Sequence, residues 1–185
     1  MTRFEKIAAN VPPGTTLPPE LRAVCDELDR VGYPISGNMK IRPDDFGGLV
    51  AWFGGDTEMA SQFAPFGAGP DGSILAFWLL NGTDARNAPV VHLGSEGDHC
   101  MVVARDFREF LRLFAIGYDE LGFDDLTRSP SHSESASWLR AMVRERYNLD
   151  VPATGAEIVS AAQAATPSVE TAIEDWSKRR SGETA

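Results

Sequence analysis

Between two turn signals the chain runs Ser73-Ile-Leu-Ala-Phe-Trp-Leu-Leu80 with hardly a polar side chain. A strand with one wet face alternates apolar and polar residues, because successive side chains point to opposite faces of the sheet. A run that is apolar at nearly every position therefore needs cover on both faces, as a central strand has. It is strand length, far short of the roughly 20 residues required to cross a bilayer. Whatever surrounds it must supply a sheet on either side and a layer above and below.

The flanking sequence supplies sheet partners. Gly67-Ala-Gly-Pro-Asp-Gly72 before the run is a dense turn signal, and Asn81-Gly82 breaks it. Pro89–Leu93 and Cys100–Ala104 enclose the five-residue connection Gly94-Ser-Glu-Gly-Asp98, the pattern of a hairpin. Pairing of residue 93 with 99 would set His92 opposite Cys100. Upstream, Leu49–Phe53 reads as a short strand stopped by Gly54-Gly55, and Met59–Phe66 as another. Such consecutive antiparallel strands make a meander.

Helices are predicted around it. Pro18-Pro19-Glu20 opens one, with Leu21, Val24, Cys25 and Leu28 at buried-stripe spacing and Gly32 and Pro34 at its end. Asp106 caps another, with Glu109 three residues on and Phe107, Phe110, Leu111 and Phe114 as its apolar face before Gly117. Ser133 or Ser135 caps a third through Trp138, Leu139, Met142, Val143 and Tyr147. An alanine-rich stretch follows from Thr154 to Ala165, and Thr166-Pro167 restarts a helix whose Val169, Ile173 and Trp176 share one face. Residues 1–17 read as a loosely held leader. The expected fold is α+β: a central, largely antiparallel meander backed by helices over residues 1–150, with a helical C-terminal extension over 151–185.

Composition narrows the function classes. Of 185 residues, 43% are hydrophobic and 24% charged, which suits a folded globular chain rather than a disordered one. Cys25 and Cys100 are too few for a disulfide scaffold, and the N-terminus leads into no apolar signal core. A cytoplasmic protein is expected. The formal charge of −10 repels nucleic-acid phosphates and anionic membranes and attracts basic partners. Between Pro43 and Ala104 lie eight acids, Asp44, Asp45, Asp56, Glu58, Asp71, Asp84, Glu96 and Asp98, against the single base Arg86; elsewhere the balance is 19 to 16.

Motifs for chemistry are weak. His92, Ser95, Asp98 and His99 place two imidazoles, a hydroxyl and a carboxylate within one hairpin and its tip. A triad requires groups oriented by separate rigid elements and an oxyanion hole, and Ser95 lacks the Gly-x-Ser-x-Gly elbow. A polar turn is the simpler account. His92, His99 and Cys100 have no zinc spacing around them, and the expected register sends His99 to the opposite face from His92 and Cys100. The glycine-rich Gly67–Gly72 lies between strands with no helix N-terminus to hold a phosphate. No catalytic residue, metal or cofactor is nominated.

Three segments together carry a resemblance. They are Phe66-Gly-Ala-Gly-Pro-Asp-Gly-Ser-Ile-Leu-Ala-Phe-Trp78, Ala88-Pro-Val-Val-His-Leu-Gly-Ser-Glu-Gly97 and Val102-Val-Ala-Arg-Asp-Phe-Arg-Glu-Phe-Leu111. With Leu17-Pro-Pro-Glu-Leu21 ahead of them, they resemble the SUKH superfamily of Smi/Knr-type proteins over roughly residues 17–117. The sequence departs from that pattern where Gly32-Tyr-Pro-Ile-Ser-Gly-Asn38 replaces the usual Asn-Gly-Gly. The resemblance implies an α+β fold without catalytic residues. It also implies a bacterial immunity protein that neutralises a cognate toxin, often a nuclease, by stoichiometric binding, or alternatively a regulatory scaffold. A small hydrolase using Ser95 and His92 is a more distant alternative. Charge complementarity to a basic toxin makes Asp44, Asp45, Asp56, Glu58, Glu96 and Asp98 the candidate docking residues, with Trp52 as an aromatic anchor.

Overall fold

The structure is a computed structural model that describes residues 1–32, 39–43, 46–82, 84–131 and 136–182. Five strands form one antiparallel sheet in chain order: β1 (Lys40–Ile41), β2 (Phe63–Ala68), β3 (Ile74–Trp78), β4 (Val90–Leu93) and β5 (Met101–Ala104). The apolar run is the middle strand. Phe77 stands opposite Ala64 on one side and Val90 on the other, and every residue of β3 is buried. The α+β meander expected from the sequence is therefore the fold.

Alternate residues of the sheet feed two cores. Ala64, Phe66, Leu75, Phe77 and Val90 face α2 (Pro19–Val31) and α5 (Phe107–Phe114). There Phe66 meets Phe77 at 4.6 Å and Phe110 edge-on at 5.3 Å, and Phe110 stacks on Phe114. Asp106 caps α5 by accepting from the Glu109 amide at 2.8 Å. Glu109 returns a carboxylate to the Arg105 amide, one residue earlier than the simplest capping box places it. The Glu109 side chain is mostly buried. Burial alone would raise its pKa, but the Arg105 guanidinium and amide outweigh that and hold it below the ordinary glutamate range. α6 (Ser137–Tyr147) completes this layer, with Leu139 and Val143 buried and Arg140 donating to the Ala115 carbonyl at the end of α5.

On the other face Phe63, Ala76, Trp78, Val91 and Val102 lie beneath three helices. These are α3 (Phe46–Trp52), α4 (Thr57–Ala60) and α8 (Val169–Ser181). The expected strand at Leu49–Phe53 is instead the end of α3 and the residue after it. Leu49 and Phe53 are four apart, so both fall on the buried side of one helical turn, a spacing that a short apolar run shares with a strand. Likewise Met59 and Ala60 belong to α4, capped by Asp56, and β2 begins only at Phe63.

The tail completes the second layer. α8 starts from Ser168, whose hydroxyl accepts from the Thr171 amide. Its stripe of Val169, Ile173 and Trp176 docks on the sheet. Trp176 meets Phe53 edge-on at 5.3 Å and donates its indole N–H to Asp56 at 2.8 Å. Arg180 reaches the carbonyls of Phe53 and Gly54. α7 (Ala156–Ala165) packs along the edge strand β5, giving Ile158 and Val159 to one core and Ala162 to the other. An uncovered edge would offer unpaired backbone groups to another chain, and α7 blocks it.

The leader is also structured. α1 (Arg3–Ala8) is nucleated by a capping box between Thr2 and Glu5 and buries Phe4 and Ile7. Arg3 pairs with Asp29 at 3.1 Å and donates to the Ile41 carbonyl, tying α1 to α2 and to the short edge strand β1.

Replacing the fully buried Phe110 by Ala is expected to cost about 3–5 kcal/mol. Trp176→Ala, at a half-buried position, is expected to cost on the order of 2 kcal/mol through lost packing on Phe53 and the lost bond to Asp56. Urea midpoints check both, and an unchanged midpoint for Trp176→Ala would mean that α8 does not hold the second core closed.

Candidate functional site

The β4–β5 turn is the first element of the site. Gly97 donates to the Gly94 carbonyl at 3.1 Å and takes φ 83°. A Cβ on Gly94 would fall 1.8 Å from the Asp98 carbonyl oxygen, so only glycine lets the chain close here. His99 then takes a left-handed conformation, φ 49°, uncommon for a residue with a side chain. That step changes the expected register: His92 stands opposite Met101, not Cys100. The His92 ring is 1% exposed, and its Nδ1 lies 3.0 Å from the His99 carbonyl oxygen. A carbonyl only accepts, so Nδ1 carries the proton and the ring staples the turn to its own strand.

Trp52 braces the same turn from outside, donating its indole N–H to Gly94 O at 2.9 Å while packing edge-on against Phe53. The sequence-nominated aromatic is thus half-buried and serves as a strut. Glu96 and Asp98 are exposed on the turn it supports. Asp56 is turned elsewhere. It caps α4 through the Met59 amide and receives Trp176, and these hydrogen bonds hold its carboxyl below the usual aspartate range. Glu58 is exposed on the first turn of α4. Asp44 and Asp45 lie outside the described residues. The structure therefore brings Trp52, Glu96 and Asp98 together and commits Asp56 to the tail.

A second acidic loop joins that turn. After α5 the chain passes Gly117 and returns over the end of the sheet as Asp119-Glu-Leu-Gly-Phe-Asp-Asp125. Tyr118, 2% exposed, anchors this segment: its hydroxyl lies within hydrogen-bond distance of the Leu126 and Arg128 carbonyls and accepts from the Gly155 amide. Leu121 is buried, whereas Phe123 is 62% exposed with its ring 4.7 Å from that of His99. Gly122 passes so close beneath that a Cβ there would sit 3.0 Å from His92 Cε1. Asp71, in the β2–β3 turn, completes the group. Burial and then the Asp71 charge push the Glu120 carboxyl above its ordinary range.

The acids around Phe123 lie outside the docking face nominated from the sequence. Their contact with the hairpin depends on where the chain re-enters after α5, which local periodicity does not encode. Among the described residues, no group of three or more His, Cys, Asp or Glu side chains is placed to hold a metal ion. Likewise none of the described helices is long and apolar enough to cross a membrane. A hollow of about 600 Å³ between α1 and Arg22, and a groove of about 520 Å³ along Pro12–Thr16, contain none of the nominated residues.

Comparison of the chain with protein-family models, with curated proteins and with solved structures gives no match.

Burial lowers the pKa of His92, with a weaker opposing effect from its bond to the His99 carbonyl. The unfolded chain therefore binds this proton more readily than the folded protein, so stability rises with pH across the interval between the depressed value and about 6.5. It is expected to level off above that interval with respect to this group. His92→Gln should remove that segment of the curve in urea melts recorded against pH; an unchanged slope would assign it to other groups.

Proposed function

We propose that the protein is a cytoplasmic immunity protein that neutralises a basic protein toxin by stoichiometric binding through the acidic end of its sheet. One observation carries this reading: two acidic loops distant in sequence, 94–98 and 119–125, meet through His99 and Phe123 on a rigidly braced turn. Preorganised like charge of this kind favours a complementary partner, raises the association rate and repels phosphate. The α+β meander agrees with what the resemblance implies. The surface residues are Glu96, Asp98, Asp119 and Asp125, with Asp71 beside them.

The staple between His92 and the His99 carbonyl, and the near-complete burial of that ring, argue for a structural histidine over the base of a hydrolase. Docking on a nuclease toxin would set carboxylates against the basic surface that otherwise holds its substrate.

The test is co-expression with the polypeptide encoded immediately upstream of its gene. Growth should be rescued and a one-to-one complex recovered. Continued arrest, with no complex, would overturn the reading. In the complex, Glu96→Lys with Asp98→Lys is expected to slow association about tenfold or more at low salt and to flatten the salt dependence. Both side chains are exposed, so stability should be unchanged.

A further inference from the structure

Phe123 is a large apolar side chain that the fold leaves 62% exposed, although the chain around it is held firmly by Tyr118 and the buried Leu121. One edge of its surroundings is the His99 ring. Carboxylates flank Phe123 along the chain, Asp119 and Asp125 exposed and Glu120 and Asp124 half-buried, and Asp98 has an oxygen 3.6 Å from His99 Nε2. Asp124 orders the loop by accepting from the Glu120 amide at 2.7 Å. An aromatic face set among negative charges complements a cation with an aliphatic stem, since the ring attracts the charge and the stem packs on the ring.

Beneath the loop His92 is closed off from solvent, with Nδ1 on the His99 carbonyl and the Gly122 backbone across the other edge of the ring, so it fixes where the two loops meet. The groups left facing outward, an exposed aromatic and carboxylates, favour a cationic side chain.

We propose that Phe123 and His99, with the exposed carboxylates of Asp98 and Asp119, form the anchor site for a lysine or arginine side chain of a basic protein partner. This rests on the reading of the protein as a stoichiometric binder and names the hot spot of that surface. Interface energy concentrates in a few central side chains, and an aromatic fixed at a rigid position loses little freedom on binding.

The probe is a tetra-arginine peptide titrated into the full chain, labelled with ¹⁵N. Saturable binding should shift the amides of Asp98–Cys100 and Glu120–Asp124. It should weaken as salt is raised. Phe123→Ser, at an exposed position, is expected to weaken binding about tenfold, whereas Glu145→Lys, exposed on α6, should leave it nearly unchanged. Shifts spread evenly over the acidic surface would overturn the site, as would full affinity in Phe123→Ser. So would an affinity that follows net charge alone, equally sensitive to Glu145→Lys and to Asp119→Lys. The two readings fail separately. Rescue by co-expression without a localised peptide site removes the anchor and keeps the immunity function. A localised site without rescue keeps the anchor and removes the toxin.

Discussion

The fold follows from strand β3, whose every side chain must leave water. A sheet strand apolar on both sides is stable only inside three layers, and this chain builds them from widely separated parts. α2, α5 and α6 close one face. α3, α4 and α8 close the other, so the last helix covers a core begun more than a hundred residues earlier. The covering is made specific by polar bonds at its margins. Asp56 and Arg180 fix where α8 lies, and Asp106, Glu109 and Arg105 fix where α5 begins. Apolar burial supplies most of the driving force, and these few bonds select one arrangement from many of similar burial.

Much of this is written locally. The apolar run, the glycine turns and the Asp106 cap each specify their element through short-range physics, and all three lie where the residues place them. The stripe Val169, Ile173 and Trp176 announces that α8 must dock on something. Two elements were ambiguous for one reason. Leu49 and Phe53, and again Met59 and Ala60, sit in apolar runs too short for their period to separate a helix from a strand. There the tertiary demand for a cover on the second face decides. α1 escaped because its signal is the cap Thr2 with Glu5, ahead of only two buried residues.

The candidate site was legible in part. Glu96, Asp98 and Trp52 could be nominated from charge and residue type, and the structure gathers them. Asp56 carries the same charge and lies in the same acidic window, yet the fold uses it to receive an indole and cap a helix. A sequence does not distinguish a carboxylate spent on architecture from one left facing water. Nor does it foretell that Phe123 meets His99. That contact arises because α5 carries the chain across the sheet and Tyr118 sets the direction of its return.

The Tyr118 hydroxyl has a further consequence. A phenol has one proton and two lone pairs, so the Leu126 and Arg128 carbonyls share its single donation while Gly155 supplies the amide it accepts. Gly155 is the residue from which α7 starts, and α7 is the helix that seals the edge of the sheet. The mounting of the acidic loop and the start of the edge helix thus meet at one oxygen atom. Fraying of α7 from its N-terminal end would slacken the loop that carries Phe123, and a partner that clamps the loop would tighten the seal on β5. On the proposed reading, binding at one end of the molecule would thus be coupled to the cover of the sheet edge along its side.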